Sequence, residues 1–422
     1  MHIAHFIHRY PPALGGSEAY FARLSRHLKS VGHNVTVWTT TALDLTALWS
    51  SRGKRLRPGF RVEDGIVVGR YDPSHWFARG PMLKVLSFVP VPAWQCLTQT
   101  CNPVALRMLY DVARFDGPCD VVHATALPYG WPLMCGLKLA RRKRVPFLLT
   151  PFLHFGDPTD PRDRTRKAYT SKAMRYLLCS ADTIFVQTEL EGETIRQLGI
   201  PFDRIVLQGM GVDPGECTGG DRERSRRNWG VEADECVIGH LANLSRAKGT
   251  VDLLRAARMA WEGGARFRVA LAGGEMPDFR RFLQDFEPKD RVQLLGPLDE
   301  TGKKDFFATI DAFCLPSRTD SFGLVILEAW ANGKPVVAYR AGGVAELVRD
   351  GVDGRLIRCG DRIGLAEALM ALEIEVEMRN AWGTSGQARI DREFRWDDKL
   401  RIVETSLTTR RTSEGARALV SD

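Results

Sequence analysis

The sequence predicts an α/β protein of two or three domains, and three observations lead there. The first is its length, 422 residues with 44% hydrophobic and 26% charged residues, enough to build more than one globular core. The second is the stretch 311–338, DAFCLPSRTDSFGLVILEAWANGKPVVA, which reads as strand, loop, helix and strand. The third is an N-terminal counterpart: an apolar strand over 3–8, a Pro- and Gly-rich loop, a helix, and a second strand at 35–38.

The N-terminal unit is the first of several. Ser17 is placed to cap a helix on which Tyr20, Phe21, Leu24 and Leu28 recur at helical spacing. Its Gly15-Gly16 loop does not match the spaced three-glycine fingerprint of nicotinamide-binding folds, which argues against a dehydrogenase. Residues 41–118 carry the weakest signal: a basic loop, a short strand at 66–68 and helical patches. Clear strands return at 120–123, 145–150, 182–188 and 204–207, with helices expected over 130–140 and 189–198. A glycine-rich crossover, Gln208 to Pro214, then opens a second domain, and 215–227 reads as exposed linker and helix start. Its strands are expected at 236–241, 268–272, 292–296, 312–315 and 336–338, with helices at 250–260, 321–331 and 363–372.

In the stretch 311–338, Ser321 is the expected N-cap and Gly323 lets a ligand approach the backbone. First-turn N–H groups then face any anion docked there. Asp320 and Glu328 bracket the turn and can border a single bound molecule.

These residues resemble the donor-site signature of glycosyltransferase family 4, in which two acids separated by seven residues flank SFG. The resemblance runs from Met1 to about Leu407. It implies the GT-B fold: two Rossmann-like domains facing an inter-domain cleft, with retention of anomeric configuration. The domains would be 1–207 on the acceptor side, joined by a C-terminal helix 396–407, and 208–395 for the nucleotide-sugar, followed by a polar tail 408–422. It implies that Asp320 contacts the donor sugar, that Glu328 holds the ribose hydroxyls, and that the amides of Ser321, Phe322, Gly323 and Leu324 hold the diphosphate. The first acid is usually Glu, and Asp320 reaches one methylene less.

Gly15 and Gly16 match the family's N-terminal glycine loop, and His154, just past the strand 145–150, matches a histidine facing the sugar. Gly296 ends a strand whose loop borders the base. Lys248 matches a lysine that holds the diphosphate. The family's Arg, five or six residues earlier, falls on Asn243, or on His240 to Ala242 with different gapping, and Arg246 is the candidate to replace it. His123 reads as structural.

The implied reaction moves a sugar from a nucleotide-sugar donor to a hydroxyl acceptor, with no obligatory cofactor and no metal. Cell-envelope polysaccharide or glycolipid synthesis is the expected setting. A catalytically silent nucleotide-sugar-binding scaffold and a GT-B sugar-nucleotide epimerase are the alternatives.

Net charge is +8, made of +11 over residues 1–207 and −3 over 208–422. Basic segments beside the apolar 82–97 stretch suggest peripheral contact with an anionic membrane, against a bland reading of solvated loops and a packed helix. No motif of nucleic-acid recognition accompanies the charge. No apolar run reaches the ~20 residues that cross a bilayer, and the chain enters a strand with no leader pattern. Nine scattered cysteines without a C-x-x-C pair suggest neither disulfides nor zinc, hence a cytoplasmic location.

Overall fold

A computed structural model describes the backbone of residues 1–418 and the side chains of residues 1–407. Two compact units emerge. Unit 1 comprises Met1–Leu153, Arg166–Gln208 and Leu400–Asp422; unit 2 comprises His154–Thr165 and Gly209–Lys399.

Unit 1 is built on eight strands: β1 (His2–Phe6), β2 (Asn34–Thr40), β3 (Gly59–Glu63), β4 (Ile66–Tyr71), β5 (Val121–Thr125), β6 (Phe147–Thr150), β7 (Thr183–Val186) and β8 (Ile205–Leu207). They lie in the order β3-β4-β2-β1-β5-β6-β7-β8, parallel except for the β3–β4 hairpin. Strands such as β5 and β6 are buried along their length, because crossover helices cover both faces of a parallel sheet. His123 sits in mid-β5 with Nε2 2.8 Å from Thr150 Oγ1, a structural position.

Unit 2 has six parallel strands: β9 (Val237–Leu241), β10 (Arg268–Ala272), β11 (Val292–Gly296), β12 (Ala312–Leu315), β13 (Val336–Tyr339) and β14 (Gly354–Ile357). Their order is β11-β10-β9-β12-β13-β14. Ile238, Leu271, Cys314 and Val337 fill the core with Leu253, Ala257 and Leu369 from the helices. The connection from β9 runs to β10 on one side, and that from β12 runs to β13 on the other. The loops after β9 and β12 therefore diverge, leaving a crevice at the carboxyl end of the sheet.

The structure corrects several expectations. The first helix runs Gly16–Ser30 with Gly15 as its N-cap, so Ser17 lies inside it and its hydroxyl bonds Glu18 instead. Residues 41–118 hold the β3–β4 hairpin, a 3-10 turn (Leu45–Leu48) and helices Arg79–Leu86, Pro92–Leu97 and Leu106–Arg114. The hairpin was hidden because β3 is an exposed edge strand without an apolar run. Residues 215–227 are largely helical, in Pro214–Cys217 and Arg222–Trp229. Residues 154–165 group with unit 2. The last helix, Trp396–Ala418, continues through most of the expected polar tail, and 419–422 lie outside the described residues.

Candidate functional site

The crevice of unit 2 is lined by the loops after β9 and β12. The first is held from beneath by a buried histidine. Burial pushes His240 down to about 4, so its ring is neutral. Nδ1 lies 2.9 Å from the Cys314 carbonyl, which can only accept, so Nδ1 carries the proton. Nε2 then accepts from Thr250 Oγ1 at 3.0 Å, and Thr250 Oγ1 in turn accepts the Ser245 N–H at 3.1 Å. Ser245 Oγ accepts the Lys248 N–H at 3.1 Å, which fixes the lysine's backbone. Gly249 adopts φ +76, and a Cβ there would stand 1.8 Å from the Pro316 carbonyl oxygen. Only glycine lets the Lys248 loop settle on the end of β12.

That closeness brings Lys248 Nζ to 2.7 Å from Asp320 Oδ2. Asp320 Oδ1 accepts the Phe322 N–H at 3.3 Å. Burial raises the Asp320 pKa, but Lys248, His154 and that amide outweigh it and hold the carboxyl below its ordinary range. Ser321 does not cap the following helix. Gly323, at φ +90, stands in the N-cap position and the helix begins at Leu324, running Leu324–Ala331. The expected cap is displaced because the left-handed glycine lets the chain turn two residues later. Ile326 N–H already bonds the Gly323 carbonyl, so the first-turn amides with no intrahelical acceptor are those of Leu324 and Val325. Phe322 is buried and packs edge-on to Phe394.

Glu328 lies deeper in the same helix, and its Oε1 is 2.6 Å from Lys303 Nζ. Lys303 belongs to the helix Glu300–Thr309, which follows β11 and Gly296. Sequence reading missed Lys303, since nothing in the spacing of residues 303 and 328 announces a tertiary pair.

His154 starts the segment 154–165, after a left-handed Phe152 at φ +53 turns the chain off β6. Burial lowers the His154 pKa, the Asp320 carboxylate raises it and Lys248 lowers it again, so the three share one electrostatic neighbourhood. Asn243 and Arg246 are exposed on the β9 loop. The Arg246 N–H donates to Asp278 at 2.7 Å, and its guanidinium repels that of Arg255.

In unit 1, Gly15 and Gly16 begin the first helix at the carboxyl end of β1. A Cβ on Gly15 would stand 2.2 Å from Glu18 Oε2. Glu18 is buried, with Arg9 Nη2 at 2.5 Å and His8 Nε2 at 3.3 Å. Burial pulls its pKa up, yet His8, Arg9 and Ser17 together hold it to about 2. This charged cluster also escaped sequence reading, because an acid in a first helical turn reads as an ordinary dipole partner.

Comparisons with known proteins match the chain in two consecutive parts. Residues 15–211 match the model of a glycosyl transferase 4-like domain, and residues 221–389 that of glycosyl transferases group 1. The chain is 30% identical over 426 residues to D-inositol 3-phosphate glycosyltransferase 2 of Catenulispora acidiphila, covering 96% of this chain and 92% of that one. It is 28% identical over 429 residues to the D-inositol 3-phosphate glycosyltransferase of Acidothermus cellulolyticus, covering 96% and 88%. Among solved structures, sucrose-phosphate synthase of Thermosynechococcus elongatus superposes with TM-score 0.74 at 19% identity, covering 98% of this chain and 99% of that one. HepE of Anabaena in complex with UDP-glucose gives TM-score 0.71 at 19% identity, covering 97% and 100%.

Proposed function

The chain belongs to the glycosyl transferases of the group 1, family 4 type with the GT-B fold, and from that premise we propose that it moves a sugar from a nucleotide-sugar to an acceptor hydroxyl with retention of configuration. One observation carries this reading: Lys248 and Asp320 meet at 2.7 Å where the loops of β9 and β12 diverge. The helix that follows Asp320 starts at Leu324, where the amides of Leu324 and Val325 have no intrahelical acceptor. A cation held by the loop that leads into a helix start with unpaired first-turn N–H groups suits a departing diphosphate, whose growing charge is the main thing such a site must stabilise. Asp320 and His154 border the sugar; Glu328 takes the ribose hydroxyls, with Lys303 holding its carboxylate in place.

A thermal-shift panel of UDP-, GDP- and ADP-linked sugars tests the donor. A true donor at 100 times its Kd stabilises by about 2.7 kcal/mol. D-inositol 3-phosphate, named in the relatives, is the first acceptor to try. Donor turnover without any acceptor would favour an epimerase. Tight binding with no turnover would favour a silent binding subunit, the reading suggested by Asn243 in the arginine's place. Glu328→Gln is expected to weaken donor and free nucleoside diphosphate alike, by roughly tenfold for one charged hydrogen-bonding group. A loss confined to the sugar half, with unchanged nucleotide affinity, removes Glu328 from the ribose.

Peripheral membrane contact through unit 1 is part of the same reading. No helix among the described residues is long and apolar enough to cross a membrane. The helices Arg79–Leu86 and Pro92–Leu97 and the turn between them nevertheless expose Met82, Val85, Phe88, Val91 and Trp94, and Phe77 precedes them almost wholly bare. Lys84 lies over the Phe88 ring. With +11 over residues 1–207, this surface suits an anionic lipid face. Binding to vesicles with anionic lipid is expected to fade as salt shortens the Debye length below about 8 Å. Equal binding to neutral vesicles, or none to either, counts against it.

A further inference from the structure

Arg318 lies on the loop after β12, two residues before Asp320, and is 5% exposed. Its guanidinium joins two separate pieces of unit 2. Nε and Nη2 donate to Asp252 Oδ2 at 2.9 and 2.5 Å, and Asp252 belongs to the helix Thr250–Glu262 that continues directly from Lys248-Gly249. Nη1 donates to Asp157 Oδ2 at 2.9 Å and to Thr159 Oγ1 at 2.7 Å, just past His154. The loop is tied a second time, since Arg318 N–H donates to the Ala247 carbonyl at 2.9 Å.

The recipients are themselves built for the task. Thr159 donates through its N–H and its hydroxyl to Asp157 Oδ1, at 2.8 and 2.6 Å, so the two present a single acceptor surface. The Asp157 N–H is anchored on Asp163 at 2.8 Å. The remaining oxygen of Asp252 is taken by Arg362 Nε at 2.8 Å, which leaves Arg318 to satisfy the other. Lys248, Asp320 and His154 thus stand within a few residues of Asp252, Arg318 and Asp157 respectively. A planar fork that fills four bonds in fixed directions cannot be copied by the point charge of a lysine.

We propose that Arg318 is a positioning residue for sugar transfer, which sets the His154 segment against the Asp320–Lys248 pair by holding Asp252, Asp157 and Thr159 on one guanidinium. The proposal rests on the glycosyl-transfer reading, and its test separates the two.

Arg318→Ala would leave the buried Asp252 Oδ2 without its partner and risk unfolding the chain, so the primary variant is Asp157→Ala with Thr159→Val. This cuts only the side of the fork that faces the His154 segment. With the full chain and the donor found by the thermal-shift panel, kcat is expected to fall about 10- to 100-fold, the cost of a small misplacement of reacting groups. Affinity for the free nucleoside diphosphate should stay within about twofold, since that pattern marks an effect on the transition state. Arg318→Lys, which keeps the charge, should show the same kcat loss; a purely electrostatic role would let lysine rescue it.

An NMR titration of the His154 ring gives a readout that needs no turnover. In the double variant the ring is expected to titrate closer to the ordinary histidine value, as the segment loosens and admits water. An unchanged His154 titration with kcat within twofold of wild type overturns the proposal. A wild-type protein that turns over no donor counts against the glycosyl-transfer reading instead, and the His154 titration still decides whether Arg318 positions the segment.

Discussion

Lys248→Ala is expected to lower the turnover number by about a thousandfold, the scale seen when one preorganised group facing developing charge is removed. The loss should fall on kcat more than on donor affinity, because the diphosphate gains charge only as the sugar departs. Stability should change separately. Without Lys248 the Asp320 carboxylate, whose side chain is 15% exposed, loses its partner at 2.7 Å. A stranded charge of this kind costs about 1–3 kcal/mol, and adding Asp320→Asn should recover most of that while leaving activity low. Arg246→Ala, measured with the same donor, tests whether the exposed guanidinium swings in to help. A fall of about tenfold in kcat with little change in donor affinity is the expected result for a cation that acts in the transition state. A silent Arg246→Ala beside a dead Lys248→Ala leaves Lys248 as the working cation of the β9 loop.

Acid is expected to weaken both units already above the range where most carboxylates protonate. Burial pushes His5 down to about 3 and His240 down to about 4, and holds His123 well below its ordinary value. For each the folded pKa lies below the unfolded one, so the unfolded chain binds the proton first as pH falls through about 6.5. The stability these rings contribute is present above that value and is lost below it, down to the folded pKa. Glu191 has the opposite sign. Burial raises it to about 7, so the folded state takes up that proton first and gains relative stability as pH falls toward 4.5. His5, His123 and Glu191 lie in unit 1 and His240 in unit 2. The same sign holds for His33 and His75 in unit 1 and for His154 in unit 2, so in each unit proton uptake on unfolding exceeds release, and each net proton costs about 1.4 kcal/mol of stability per pH unit between pH 6 and 5. Urea unfolding at a series of pH values measures this directly. A stability that stays flat from pH 7 to 5 would mean that these rings titrate normally, hence that water reaches them.

Much of this was legible in the sequence because parallel strands announce themselves. Apolar runs such as Val121-Val122 and Val336-Val337-Ala338 are buried on both faces and need no partner information to be recognised. Asp320, Glu328 and Lys248 were singled out through the resemblance of their local motifs to the family's, and the fold brings Lys248 onto Asp320. What spacing could not supply was pairing. Lys303 against Glu328, and Arg318 against Asp157 and Asp252, join residues far apart in the chain, and neither end carries a mark of the other. The misplaced caps share a setting. At Ser17 and Ser321 a good capping side chain stood two residues from a glycine; the left-handed Gly323 decided where its helix began, and at Gly15 the buried Glu18 carboxylate leaves no room for a Cβ. The β3–β4 hairpin was lost for a different reason, since the alternation of Phe60 and Val62 with Arg61 and Glu63 spans only four residues inside a basic stretch, and both apolar side chains are exposed.

Unit 1 is written in the chain in pieces, and this sets an order of events during synthesis. Its eight strands have all left the ribosome once Leu207 has, yet the helix Trp396–Ala418 comes from the far end of the message. That helix places Glu404 against His27 at 3.1 Å, on the first helix of the chain, and buries Val403 and Leu407. Until all of unit 2 has been translated, the nascent first sheet must stand with that flank uncovered. A ribosome stalled after residue 399 would thus carry two complete sheets and an exposed apolar strip on unit 1, a surface suited to a chaperone.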